Sequence, residues 1–175
     1  SQTYEAKAGV FFVFKKNRRL RLICDCRLGN LRLKVPPPVH LSTAAAFSEL
    51  RLPNLDTMYI ASLDVENAFY NFQIPRWPSE QYALEPACAA DVGINCLGGK
   101  SLSPKTVLYP LFSVLPMGCS WAVYWCQMAH LNIIWCCGVL GPSKELIGST
   151  PMPDIMQTGG IGSLYLYNEL FMGLK

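Results

Sequence analysis

The sequence predicts a compact α+β domain, and three observations favour that fold class. Two apolar segments, 9–16 and 20–26, flank a short polar break, which is typical of a β-hairpin. The apolar segment 58–65 has the length of a buried strand, and the longer apolar run 119–137 is typical of a buried helix. With 175 residues and 51% hydrophobic side chains, the chain can bury a sizeable core.

Caps, turn residues and periodicity predict the remaining elements. Ser42 and Thr43 favour the start of a short helix over about 43–50, and Pro53 with Asn54 favours a turn. Further along the chain we expect a helical turn at 66–71 and then a loop-rich insertion at about 76–105. A strand follows at 106–115, with an edge or bulge at Pro110. The chain ends with a loop over 141–162 and a final strand or hairpin over 163–172.

Positive charge is concentrated near the start of the chain. The net charge is +3, but residues 1–34 hold nine Lys or Arg against two acidic residues. This asymmetry favours a basic arm that meets a polyanion, and the alternative interpretation is a solvated hairpin. The first residue is Ser1 rather than Met, so we expect an internal piece of a longer product.

The eight cysteines do not have the spacing of a zinc site or of a disulfide framework. Several lie in apolar segments, where free thiols are common. No signal peptide is visible at the N-terminus. We therefore expect free thiols and an intracellular location, nuclear or cytoplasmic.

A membrane protein is one alternative. No Asp, Glu, Lys or Arg lies between Lys105 and Lys144, and residues 119–140 are long enough to cross a bilayer. That segment also contains Gln127 and His130, whose burial in lipid would be costly. A buried core helix explains the same run, so we expect no membrane partner.

Asp64 is the sharpest chemical feature, because it ends an apolar strand in the segment LDVENAFY. A carboxylate at a strand end can join others to bind Mg²⁺ through oxygen. Two such ions can clamp the attacking and leaving oxygens of a phosphoryl transfer. The alternative interpretation of Asp64 is a simple helix N-cap.

Four segments in order resemble the fingers and palm of reverse transcriptases of the retrotransposon type. The segment 15–30 (KKNRRLRLICDCRLGN) is similar to the fingers hairpin, and 62–75 (SLDVENAFYNFQIP) resembles the palm segment that carries a catalytic aspartate. The segment 115–127 (LPMGCSWAVYWCQ) resembles the family's L-P-x-G motif, and 164–173 (LYLYNELFMG) stands where the family has Y-x-D-D.

The resemblance implies a role for each matched residue. Asp64 would be the catalytic metal ligand, assisted by the Val65 carbonyl, and Phe69 would be the aromatic gate that favours deoxynucleotides, with core packing as its alternative. The other implied nucleotide-binding residues are Lys16 and Arg21 on the hairpin, Val65, Met117 and Gly118 near the base pair, and Gln127 on the helix.

The fourth segment departs from the family. Aligning Tyr165 with the family's Tyr puts Tyr167 and Asn168 at the two aspartate positions, and a shift by one residue puts Asn168 and Glu169 there. The implied metal ligands are therefore Asp64, Val65, Asn168 and Glu169, and the second metal site is weakened.

As a whole, the resemblance implies a polymerase palm-and-fingers fold, with an antiparallel sheet, helices packed on one side and the thumb absent. Residues 1–40 would form the basic fingers hairpin and residues 41–175 the palm. The implied function is RNA-directed DNA polymerisation with two Mg²⁺, a template–primer duplex and dNTPs, together with other domains of a polyprotein. The alternative is a non-catalytic nucleic-acid-binding remnant of a mobile element.

Overall fold

The structure, a computed structural model, describes residues 8–16, 18–51, 57–148, 150–166 and 168–174. The fold is mixed α+β with short helices and antiparallel sheets. In chain order the elements are β1 (Gly9–Phe14), β2 (Leu20–Asp25), α1 (Arg27–Asn30), α2 (Ala44–Ser48), β3 (Met58–Asp64), a 3₁₀ turn (Ala68–Asn71), α3 (Arg76–Glu80), β4 (Ala87–Cys88), β5 (Cys96–Leu97), β6 (Lys100–Ser101), β7 (Val107–Leu108), α4 (Ala122–Cys136), a 3₁₀ turn (Pro142–Lys144), α5 (Ile155–Thr158), β8 (Gly160–Tyr165) and β9 (Asn168–Leu174).

The chain divides into two compact units. One comprises the described residues up to Val35 and Phe69–Ala122, and the other comprises Pro36–Ala68 and Val123 onwards. The insertion at about 76–105 lies in the same unit as the basic hairpin, as the hydrogen bond from the Ala8 amide to the Ala83 carbonyl illustrates (2.7 Å). The functional division into fingers at 1–40 and palm at 41–175 stays a prediction.

In the first unit, β1 and β2 form the predicted antiparallel hairpin. Their register runs from Gly9 opposite Asp25 to Phe14 opposite Leu20. All six residues of β1 are exposed, so both faces of the hairpin carry accessible apolar side chains. Asn17, which was expected in the turn, lies outside the described residues.

The predicted strand 106–115 is interrupted. Of its residues only Val107 and Leu108 form a strand, which pairs with β4, and isolated bridges at Leu111 and Val114 follow. Pro110 has no N–H to donate, so a continuous ladder cannot cross it. This part of the first unit is built from short sheets joined by turns.

The second unit is built on a three-stranded antiparallel sheet in the order β3-β9-β8. Helices cover both faces of this sheet, whereas packing on one side was expected. On one face, Ile161 and Met172 form a core with Ala46 of α2 and Ile155 of α5. On the other face, Leu164 packs against α4. Alternation along the strands produces the two cores, since Ile161 and Leu164 point to opposite faces.

The strand at 58–65 exists as β3 but is not buried as predicted. Six of its seven residues are exposed, because β9 flanks it on one side and β3 forms the edge of the sheet. Burial of a strand depends on its neighbours, and an apolar sequence does not specify them.

Two helix starts are set by side-chain caps. Thr43 Oγ1 accepts a hydrogen bond from the Ala46 amide at the start of α2, as predicted. Asp154 Oδ1 accepts one from the Met156 amide and starts α5 within the segment that was expected to be a loop, 141–162. That expectation was wrong, because Asp154 supplies a capping signal in front of a short apolar turn. The turn expected at Pro53 and Asn54 lies outside the described residues.

The apolar run near residue 130 forms α4, which spans 15 residues. Within the described part of the chain, no helix has the length and apolar character needed to cross a bilayer.

We predict that Leu164→Ala destabilises the protein by about 2–5 kcal/mol, because it leaves a cavity between β8 and α4. Leu164 is 1% exposed. The matched control is Leu63→Ala, on the same sheet face but 57% exposed, which should cost less than about 1 kcal/mol. Urea unfolding monitored by circular dichroism measures both changes, and equal costs would contradict this account of the core.

Candidate functional site

One polar row crosses the second-unit sheet at the end of the β8–β9 hairpin. Asp64, the last residue of β3, is directly opposite Asn168, the first residue of β9. Asn168 is in turn opposite Tyr165, the last residue of β8. Residues directly opposite in an antiparallel pair share a face, with Cβ atoms about 5 Å apart. The register therefore puts the Asp64 carboxylate beside the Asn168 amide, and both residues are exposed.

Glu169 lies on the opposite face from Asn168, because consecutive strand residues alternate. Its Oε1 is 3.1 Å from His130 Nε2 on α4, and both side chains are nearly buried. The structure therefore does not bring Glu169 together with Asp64. Tyr167, which the alignment from Tyr165 puts at the first aspartate position, lies outside the described residues.

Helix α4 holds the turn between β8 and β9 through the backbone of Leu166. The Leu166 amide donates to Gln127 Oε1 (2.8 Å), and the Leu166 carbonyl accepts from His130 Nδ1 (2.6 Å). Gln127 Nε2 also donates to the Leu164 carbonyl (3.3 Å). Leu166 has a φ of 59°, a left-handed conformation that is unfavourable for a leucine. The α4 contacts therefore stabilise a strained turn next to Asn168.

Gln127 is fully buried, and its amide is engaged with the hairpin. Direct contact with a nucleotide, which the resemblance implies for Gln127, stays a prediction. His130 was not predicted as a functional residue. The one available signal was its position three residues after Gln127, which puts both side chains on the same helix face.

The polar row offers the carboxylate of Asp64 and the amide oxygen of Asn168 at opposing positions of two paired strands. Mg²⁺ is bound by few protein oxygens and keeps several waters, so a carboxylate and an amide oxygen suit it. Among the residues that the structure describes, no three His, Cys, Asp or Glu side chains are grouped to hold a metal. Val65 follows β3 directly and is half-buried. Magnesium binding, which the resemblance implies for Asp64, Val65 and Asn168, therefore stays a prediction.

In the first unit, the tip of the hairpin forms a basic depression of about 530 Å³. Lys16 and Arg21, predicted to bind the triphosphate, both line it together with Lys15. The apolar part of the lining comes from Val13 and Phe14. Three cations around one concavity suit a ligand that carries several phosphate oxygens.

The base of the same hairpin is fixed by a local ion pair. Arg27 Nη2 is 2.6 Å from Asp25 Oδ2, and Arg27 Nε donates to Asp25 Oδ1 (2.9 Å). These hydrogen bonds from Arg27 lower the pKa of Asp25 to about 2. The Asp25 carboxylate is thus engaged by Arg27 at the end of β2.

Met117 and Gly118 form an exposed turn of the first unit. Gly118 has a φ of 130°, and a Cβ there would lie 2.6 Å from the Cys24 carbonyl oxygen. Only glycine tolerates this approach of two backbone segments. The neighbouring Cys26 is buried, and this burial raises the pKa of its thiol to about 12, so Cys26 is a neutral packing residue.

Phe69 is buried in the first unit, as the core-packing alternative expects. Its role as an aromatic gate stays a prediction. All eight cysteines are free thiols, as the sequence predicted.

Neither protein-family models nor curated proteins give a match to this chain. The resemblance to reverse transcriptases therefore rests on the sequence motifs.

We predict that Gln127→Ala lowers the free energy of unfolding by about 1–3 kcal/mol, because the Leu166 amide loses its buried acceptor. The control is Asn132→Ala on the exposed side of α4, with an expected change below about 0.5 kcal/mol. Urea unfolding gives both values, and hydrogen exchange at Leu166 should accelerate in the Gln127 variant alone. Unchanged hydrogen exchange at Leu166 would show that the hydrogen bond from its amide to Gln127 on α4 does not stabilise the turn.

Proposed function

We propose that this chain is the fingers and palm portion of a reverse-transcriptase-like polymerase, with a reduced set of catalytic carboxylates. The observation that carries the proposal is the register of Asp64 opposite Asn168 at the end of the β8–β9 hairpin. The sequence motifs require these two distant segments to be adjacent, and the sheet could have formed in many registers that separate them.

The polar row has a defined role in this proposal. Asp64 and Asn168 would hold a magnesium ion at the exposed end of the sheet, while Gln127 and His130 keep the turn beside it in place. Magnesium, when bound, neutralises phosphate charge and orients the reacting oxygens. A single carboxylate binds the ion weakly, so we expect slow nucleotidyl transfer.

The basic hairpin supplies the binding function. Lys15, Lys16 and Arg21 would hold phosphates of the incoming dNTP or of the template. Phe12 and Phe14 project apolar rings from the same strand, with 62% and 80% of their surface exposed. Exposed aromatic rings beside cations suit single-stranded nucleic acid, because unpaired bases stack on them.

A second candidate function is nucleic-acid binding without catalysis. Its support is the engagement of Glu169 with His130, which leaves Asp64 as the sole carboxylate in the polar row. The hairpin tip retains its cations in either case. Extension and binding assays separate the two candidates.

We predict slow Mg²⁺-dependent primer extension, reduced at least about 100-fold in Asp64→Asn, since removing a metal-binding carboxylate costs several kcal/mol of transition-state stabilisation. Asn168→Asp should raise the rate about tenfold and lower the Mg²⁺ concentration needed, because it adds a carboxylate opposite Asp64. Gel-based extension of a labelled DNA primer on an RNA template measures both effects.

Asp91→Asn, an exposed acid of the first unit, is the matched control and should leave extension unchanged. Absence of extension in the wild type, in Asn168→Asp and in Tyr167→Asp would exclude the polymerase and favour the binding candidate.

We predict that the triple variant Lys15→Ala, Lys16→Ala, Arg21→Ala binds a template–primer duplex more weakly and with less dependence on salt. Each lost phosphate contact lowers the slope of log K against log salt concentration by about one. Fluorescence anisotropy between 50 and 200 mM salt, roughly the range over which such contacts are screened, measures the slope. The matched control is Lys100→Ala with Lys105→Ala, two exposed cations outside the depression. An unchanged slope in the triple variant would argue against the hairpin as the nucleic-acid contact.

A further inference from the structure

Asn30, the last residue of α1, connects three segments of the first unit through its side-chain amide. Its Nδ2 donates to the Gly118 carbonyl (2.9 Å), and its Oδ1 accepts from the Ser120 amide (2.9 Å). The Tyr82 hydroxyl also donates to Oδ1 (2.9 Å). A backbone carbonyl only accepts and a backbone N–H only donates, so these partners fix the orientation of the amide.

Tyr82 holds the side-chain amide of Asn30 in place through its hydroxyl group. Tyr82 is completely buried, and its hydroxyl also lies 3.1 Å from Cys119 Sγ. Burial raises the pKa of the Tyr82 hydroxyl, so this group stays protonated and remains a donor. Gly29, just before Asn30, has no room for a side chain, because a Cβ there would lie 2.6 Å from the Tyr82 ring. The end of α1 is therefore held closely against Tyr82.

The hydrogen bonds of Asn30 hold one side of the exposed turn at Met117 and Gly118. The Asn30 side chain donates to the Gly118 carbonyl and accepts from the Ser120 amide. Between these two residues lies the buried Cys119. On its other side, Gly118 lies against the Cys24 carbonyl. The turn is thus held on one side by Asn30 and packed on the other against the backbone of Cys24.

We propose that Asn30 is a positioning residue, which holds the Met117–Gly118 turn in the conformation that receives the base pair between dNTP and template. The inference rests on the proposed polymerase function, and it adds a residue that acts on the substrate through the turn. An aspartate at position 30 keeps the acceptor for Ser120 and Tyr82 but sets an oxygen against the Gly118 carbonyl. Asn30→Asp is therefore a close test of the single donor bond.

The experiment compares wild type, Asn30→Ala, Asn30→Asp and Tyr82→Phe, with Asn95→Ala as the control, an exposed asparagine of the same unit. Hydrogen exchange at Ser120 reports whether the turn is held. Titration of Mg·dNTP onto the protein–duplex complex, followed by tryptophan fluorescence, reports nucleotide affinity, and anisotropy reports duplex affinity.

In Asn30→Ala we expect exchange at Ser120 to accelerate about tenfold, as loss of one such hydrogen bond implies. We expect dNTP affinity to fall about tenfold in Asn30→Ala and in Asn30→Asp, and about threefold in Tyr82→Phe, which loses one hydroxyl. Duplex affinity should stay within about twofold of wild type, since phosphate contacts elsewhere dominate it. A purely structural role would weaken duplex and dNTP binding together.

Equal dNTP affinity in wild type and in the Asn30 variants would overturn the inference and leave the polymerase proposal in place. A wild type that binds duplex but no dNTP would overturn both. If Asn30→Ala fails to fold, Asn30→Asp and Tyr82→Phe, which are smaller changes, decide the same question.

Discussion

Alternation along β9 is the constraint on which the candidate chemistry depends. Residues 168 and 169 are adjacent in the chain and must therefore face opposite sides of the sheet. Asn168 faces the side that carries Asp64, and Glu169 faces α4. The side chain of β9 that lies beside Asp64 is therefore the amide of Asn168 and not the carboxylate of Glu169.

The polar residues of α4 are explained by the same hairpin. A long apolar run that contains Gln127 and His130 resembles a membrane segment with costly polar insertions. In the folded unit these residues satisfy the backbone of Leu166, whose N–H and C=O would otherwise lack partners at the hairpin turn. Buried polar side chains in an apolar helix are therefore informative about what the helix packs against.

Local patterns made part of the fold predictable. The β1–β2 hairpin, the Thr43 cap and the hairpin near the C-terminus follow from a few neighbouring residues, and each is present. The adjacency of Asp64 to this hairpin was expected from the family resemblance, since periodicity alone does not pair distant strands. Local physics leaves such a long-range contact open, and kinship with reverse transcriptases stays a proposal.

Other features depend on tertiary partners and could not be derived locally. The exposure of β3 depends on which strands flank it. The contact of His130 with Leu166 spans 36 positions of the chain, and those of Asn30 with Tyr82 and Gly118 span 52 and 88. Glu145 is a further example of a feature that depends on tertiary partners. It lies in the segment expected to be a loop, yet only 6% of its surface is exposed. Burial raises the pKa of its carboxyl group, and no sequence pattern marks that environment.

The outer edge of β3 has a practical consequence. This strand extends over seven residues without a proline or lysine, and no strand in the described ranges pairs with that edge. Tyr59, Ile60 and Leu63 add accessible apolar surface on both of its sides. An unprotected edge of this kind templates pairing between molecules. At the concentrations used for crystallisation or NMR, aggregation of the isolated chain would begin at β3, and a lysine introduced at Ile60 would be the first measure against it.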